Sequence, residues 1–126
     1  MTVVLDASAL LAVFGDEPGA ERVAALLDGG TISAVNWSEV LGRYVREGLD
    51  TTHRQEQVEA LGLSLVAFTP RQAELAAGML PITRDAGLSL ADRACLAVAL
   101  DFGAPAITAD GAWLGVDVGV EVELIR

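Results

Sequence analysis

The chain contains no lysine: its eight basic residues are all arginine. Chemistry that needs a side-chain amine is thereby excluded, including Schiff bases, a phosphate-loop lysine and a lysine general base. Cysteine is limited to Cys95, so there is no internal disulfide and no thiolate pair for a metal. The single histidine, His53, excludes a multi-histidine zinc centre and argues against Ser-His-Asp catalysis. No apolar run reaches the length of a membrane span. Met1 leads through Val3-Val4-Leu5 directly to Asp6, without the basic start and long apolar stretch of a secretory signal, so no membrane association and a cytoplasmic location are expected. Positive charge is scarce as well. Against 8 arginines stand 18 acids, giving a net charge of −10.

Apolar residues are abundant, at 52% of 126 residues, with a mean hydropathy of +0.46. A 13.1 kDa chain should leave roughly 6,400 Å² exposed of about 19,000 Å² in its extended form, enough burial for a core without metal or disulfide support. Short apolar runs closed by polar residues read as buried strands: Thr2–Leu5, Thr31–Ala34, Leu63–Phe68, Ala104–Thr108 and Val120–Ile125. Between them, helices are expected over Ala7–Phe14, Gly19–Leu27, Asn36–Glu47, Thr51–Leu61, from Pro70 to a break at Pro81, and over Leu90–Phe102, with a helical turn at Gly111–Leu114. Strands alternating with helices predict an α/β fold, a mainly parallel central sheet of about five short strands with helices on both faces. Ligand sites in such sheets lie beyond the carboxyl ends of the strands.

Four acids occupy related places in this pattern. Asp6 follows the first strand, Glu39 lies early in the helix after the second, Asp92 opens the helix before the fourth, and Asp110 lies just beyond the fourth. Each also has a helix-capping role open to it: Asn36-x-x-Glu39 and Ser89-x-x-Asp92 are spaced as capping boxes, and Asp6 and Asp110 stand at N-cap positions. Carboxylates about 5 Å apart repel by roughly 3 kcal/mol per pair at an effective dielectric near 20. Four together call for a cation, and oxygen ligands suit Mg²⁺ or Mn²⁺. Such ions activate water and stabilise the leaving oxygen of a phosphodiester.

The segments Val3-Val4-Leu5-Asp6-Ala7-Ser8-Ala9-Leu10-Leu11, Ser33-Ala34-Val35-Asn36-Trp37-Ser38-Glu39-Val40, Gly87-Leu88-Ser89-Leu90-Ala91-Asp92-Arg93-Ala94-Cys95-Leu96 and Thr108-Ala109-Asp110-Gly111-Ala112-Trp113 resemble, in order and spacing, a PIN-domain ribonuclease of the VapC-like toxin class. The resemblance covers essentially the whole chain and implies a single PIN-like domain over residues 1–126. It also implies a metal-dependent endoribonuclease toxin, with Asp6, Glu39, Asp92 and Asp110 in the acidic metal-binding and catalytic positions. Thr108 would help position the nucleophile or phosphate, and Ser8 would line the site. A cognate antitoxin and a homodimer are implied as partners, with RNA as substrate and no DNA binding by this chain alone. In this family the residue after the last acid is often basic; here it is Gly111, which removes a local phosphate contact. Asp117 is expected to be a solvated loop acid rather than a metal ligand.

Arg43 and Arg46 follow Glu39 by four and seven residues on one helical face, placing them either along substrate phosphates or, for Arg43, in an ion pair with Glu39. Arg93 points away from Asp92 and is expected at the surface or in an interface, whereas Cys95, Leu96, Val98, Ala99 and Leu100 are expected in the core. Leu10, Leu11 and Phe14 leave three roles open: core, dimer contact, or a groove for an antitoxin segment. With a net charge of −10, binding to bulk RNA should be weak and selective, and an arginine-bearing peptide should be attracted. Two alternatives remain. A receiver-type Mg²⁺-binding domain normally has adjacent acids after its first strand, an acceptor Asp after its third, and a late lysine; here Asp6 lacks an acidic neighbour, Phe68-Thr69 follow the third strand, and lysine is absent. A PIN-like domain that binds without catalysis is the other, and the presence of all four acids argues against it. Phosphatases with a D-x-D motif are excluded by Ser8.

Overall fold

A computed structural model of the chain describes residues 2–126; Met1 lies outside them. Five short strands, β1 (Val4–Leu5), β2 (Thr31–Ser33), β3 (Ser64–Val66), β4 (Ala106–Thr108) and β5 (Val122–Leu124), form one sheet in the order β3-β2-β1-β4-β5. Every pairing is parallel. The α/β fold expected from the alternating pattern is therefore the one observed. All five strands are shorter than expected, because their outer residues turn at once into caps and loops.

The helices are α1 (Ala7–Phe14), α2 (Ala20–Ala24), α3 (Ala34–Arg46), α4 (Arg54–Ala60), α5 (Pro70–Gly78), α6 (Leu80–Thr83) and α7 (Leu90–Phe102), followed by a 3-10 turn at Gly111–Gly115. They divide the apolar side chains into two clusters. Val3, Leu5, Ile32 and Ile107 pack with α1, α2, α3 and α4. Val4 and Ala106, which alternate with these along the strands, pack with α5, α7 and Trp113. Ala94 through Ala99 are all buried, because α7 packs against β1, β2 and β4 and lies against both α3 and α5. This explains an apolar run too continuous for a one-sided amphipathic helix. Total accessible surface is 6402 Å².

Several local expectations need correction. The helices expected over Gly19–Leu27 and Thr51–Leu61 are shorter, and the break expected at Pro81 falls before it, with Pro81 in the first turn of α6. Helix α3 begins at Ala34 rather than Asn36, since the Ser33 hydroxyl accepts from the backbone N–H groups of Val35 (3.1 Å) and Asn36 (3.4 Å) and is the N-cap. Asn36 and Glu39 therefore form no capping box. Leu100 is 37% exposed rather than core, whereas Leu96, Val98 and Ala99 are fully buried. Arg93 is half-buried, with its guanidinium donating to the Ala76 carbonyl at 3.1 Å and so tying α7 to α5.

Strands β1 to β3 run outward on one side and β4 to β5 on the other. The order therefore reverses between β1 and β4, the crevice where open α/β sheets bind ligands.

Candidate metal centre

A cleft of about 340 Å³ opens at that switch point, lined by Asp6, Ser8, Leu11, Glu39, Asp92, Asp110 and a set of rim charges. The four acids reach it from four segments: the end of β1, the first half of α3, the first turn of α7, and the end of β4. They are graded from floor to rim. Asp6 is 5% exposed, Asp92 is half-buried, and Glu39 and Asp110 are exposed.

The floor is built around Asp6. Although it stands at the N-cap of α1, its side chain makes no cap hydrogen bond. Instead the hydroxyls of Ser8 (2.7 Å) and Thr108 (2.9 Å) both donate to its Oδ2. Their direction is fixed by the backbone beyond β4: the Ala109 N–H donates to Ser8 Oγ at 3.0 Å and the Asp110 N–H to Thr108 Oγ1 at 3.1 Å. With those lone pairs engaged, each hydroxyl proton is left for Asp6. Burial nevertheless pushes the Asp6 carboxyl above its ordinary value, the two hydroxyls oppose that shift, and Asp92 adds to it.

Desolvation also raises Glu39, against the hydrogen bond from Asn36 and reinforced by the charges of Asp6 and Asp92. Asp92 and Asp110 do cap their helical turns. Asp92 Oδ2 accepts from Ser89 N–H at 2.9 Å and Ser89 Oγ from Asp92 N–H at 3.1 Å, completing the expected box. Asp110 Oδ1 accepts from Ala112 N–H at 3.0 Å. Beneath them Cys95 is fully buried, and its thiol is pushed well up by burial first and by Asp6, Asp92 and Glu39 next. It is inert packing rather than a nucleophile.

The four acids border one cleft without converging into a closed nest: among the described residues no three His, Cys, Asp or Glu side chains stand close enough to cage an ion. Local caps hold Asp92 and Asp110, and like charges repel. The donor set still fits Mg²⁺ or Mn²⁺. It consists of oxygens alone, two of its carboxyls are raised partly by facing acids, and such ions retain several waters and need only one or two direct carboxylates.

The cleft also has a cationic rim. Arg43 and Arg46 line it, together with Arg126 and Glu17. Arg43 pairs with Glu47 at 3.1 Å, not with Glu39. Arg46 has no ion pair among the described residues. Arg126 bonds Glu17 at 3.2 Å and the Pro18 carbonyl at 3.0 Å. Sequence reasoning passed over Arg126 and Glu17. Arg126 lies just past β5, so the rule that led to Asp6 and Asp110 applied to it too. Glu17 carried no comparable signal. Asp117 is exposed outside the cleft and accepts from Gly119 N–H at 3.3 Å, as expected of a loop acid. Beside the cleft, and sharing Leu11, Glu17 and Arg43 with it, is a pocket of about 140 Å³ bordered by Phe14, Tyr44 and Leu49. Leu10 is core, whereas Leu11 and Phe14 lie on this groove.

A parallel sheet with an acid-lined crevice at its switch point defines a class. The PIN-domain family model matches residues 3–118, and the chain belongs to that family. Solved structures share the fold at low identity. A toxin–antitoxin complex from Klebsiella pneumoniae is 20% identical with a TM-score of 0.74, with 98% of each chain covered. A DNA-bound VapBC from Salmonella typhimurium is 15% identical with a TM-score of 0.73, covering 100% of this chain and 99% of that one. VapBC-1 from nontypeable Haemophilus influenzae is 16% identical with a TM-score of 0.72, covering 99% and 98%. No curated protein sequence matches the chain.

Proposed function

We propose that the chain is a divalent-metal-dependent endoribonuclease, the toxin of a VapC-like toxin–antitoxin pair. The observation that carries this reading is the meeting of four acids from distant segments at one crevice of a PIN-domain sheet, with arginines along its rim. Asp6, Glu39, Asp92 and Asp110 would hold Mg²⁺ or Mn²⁺. Such an ion supplies Lewis-acid polarisation of a phosphodiester and a nucleophile from water at neutral pH. The chain's own residues do the rest. Ser8 and Thr108 lock the Asp6 carboxylate, Asp92 and Asp110 are pinned by their caps, and Arg46 with Arg43 holds backbone phosphates in register. The acidic balance suits selective recognition of a splayed RNA loop rather than avid binding to any RNA.

The partner proposed for the groove at Leu11, Phe14, Tyr44 and Leu49 is an antitoxin segment. Apolar side chains would fill the groove while an arginine reaches into the neighbouring acids. Exposed Leu80, Ile82 and Leu90 on α6 and the start of α7 support a homodimer face.

The test is to map RNA ends produced by the purified chain with Mg²⁺, with chelator, and in Asp6→Asn. Discrete ends should appear only in the wild type with metal, and Asp92→Asn should lose cleavage while still binding antitoxin. Antitoxin binding with no cleavage by the wild type under any divalent ion would instead establish a binding-only PIN domain.

A further inference from the structure

The metal-site reading leaves the buried polar side chain of Asn36, beside the cleft acid Glu39, without a role. Asn36 is the only asparagine in the chain, and it is fully buried at 0% exposure. Its side-chain nitrogen donates to Glu39 Oε1 at 3.2 Å and to the Ala91 carbonyl at 3.0 Å. Glu39 is one of the cleft acids, and Ala91 is the residue immediately before another, Asp92. One amide thus connects Glu39 on α3 to the backbone of α7 beside Asp92. The orientation of that amide is determined by chemistry, because both neighbours are acceptors and only its nitrogen can face them. Its Oδ1 is buried and has no donor among the described residues. A buried acceptor left unpaired is costly, and a helix-to-helix staple alone could be made without one.

Glu39 is exposed, sits on α3, and has three side-chain torsions to order. Among the described residues, Asn36 is its only hydrogen-bond partner. Asp92 has its own cap, and the Asn36–Ala91 bond ties its turn to α3. We propose that Asn36 is a positioning residue that orients Glu39 and sets its spacing from Asp92 for a divalent ion; this rests on the metal-site reading above. Hydrogen-bond partners of metal ligands typically contribute 10- to 100-fold in metal affinity, which sets the size of the effect.

Because Asn36 is unique, labelling the full chain with ¹⁵N-asparagine gives one side-chain amide pair. In the wild type that pair should exchange slowly with solvent. It should also shift with added Mg²⁺ along the same saturation curve as the Mg²⁺-dependent gain in melting temperature. Asn36→Ala should raise the Mg²⁺ midpoint of the melting gain at least tenfold. If the wild type saturates with Mg²⁺ while the amide stays unmoved, or Asn36→Ala keeps the wild-type midpoint, the positioning role is overturned and the metal site stands. If the wild type shows no Mg²⁺ saturation, or Asp6→Asn retains it, the metal site is overturned and the positioning role with it. Should Asn36→Ala fail to fold, the amide shift in the wild type decides alone.

Discussion

At the scale of single residues, Asp6 is the most constrained group. Its two hydroxyl donors take their direction from backbone N–H groups beyond β4, so Thr108 serves a carboxylate and a main-chain amide at once. Thr108→Val keeps the shape and removes both bonds. It should cost about 1.5–3 kcal/mol, the range for a hydrogen bond to a charged group, read as a lower denaturant midpoint at unchanged slope. The raised carboxyls give a pH signature in metal-free protein. A carboxyl whose folded value exceeds its unfolded value binds its proton more tightly in the native state, so stability falls as pH rises through that interval. The interval opens at 3.8 for Asp6 and 4.5 for Glu39 and closes at their higher folded values. Asp50 and Asp101 are lowered instead, chiefly by hydrogen bonds from Thr52 and from Arg71, so their contribution disappears only as pH falls below 3.8. With chelator present, the melting temperature should therefore decline as pH rises above 3.8. Asp6→Asn should flatten that decline and melt higher than the wild type at pH 7; a wild-type melting temperature that climbs over the same range would refute the assignment.

At the scale of elements, the acids are delivered by helix starts and strand ends. The Ser89–Asp92 box is reciprocal. Ser89→Ala should therefore destabilise the fold by about 1 kcal/mol in equilibrium unfolding and, by releasing the turn that carries Asp92, weaken Mg²⁺ binding as well. This box and the Asp110 cap were legible in the sequence because capping is local chemistry, set within three residues. The sheet was legible for the same reason, through short apolar runs between helical stretches. What was not legible depends on contacts far apart in the chain. Asn36 read as half of a capping box, because nothing in the sequence shows that Ser33 takes the cap and that Ala91 lies opposite. For Arg43 the sequence suggested Glu39, four residues before it, whereas its partner is Glu47, four residues after it, a spacing that a helix offers equally in both directions. Arg93 read as a surface or interface residue because its partner, the Ala76 carbonyl, is 17 residues away on another helix.

At the scale of the whole molecule, a chain with net charge −10 gathers four of its acids at the crevice where the strand order reverses. Without an ion, repulsion and desolvation there oppose folding. With one, the proposed function makes the same groups its site. A divalent ion at about 100 times its dissociation constant should add roughly 2.7 kcal/mol of stability. On the proposed reading, function would rest on a feature that costs the chain stability when empty, the trade seen at many active sites. The most direct measurement is calorimetric titration of the purified chain with Mn²⁺ at neutral pH, alongside Asp6→Asn. Saturable binding in the wild type that is abolished by Asp6→Asn is the predicted result. Heats of dilution alone, or a titration curve that the substitution leaves untouched, would contradict the metal centre.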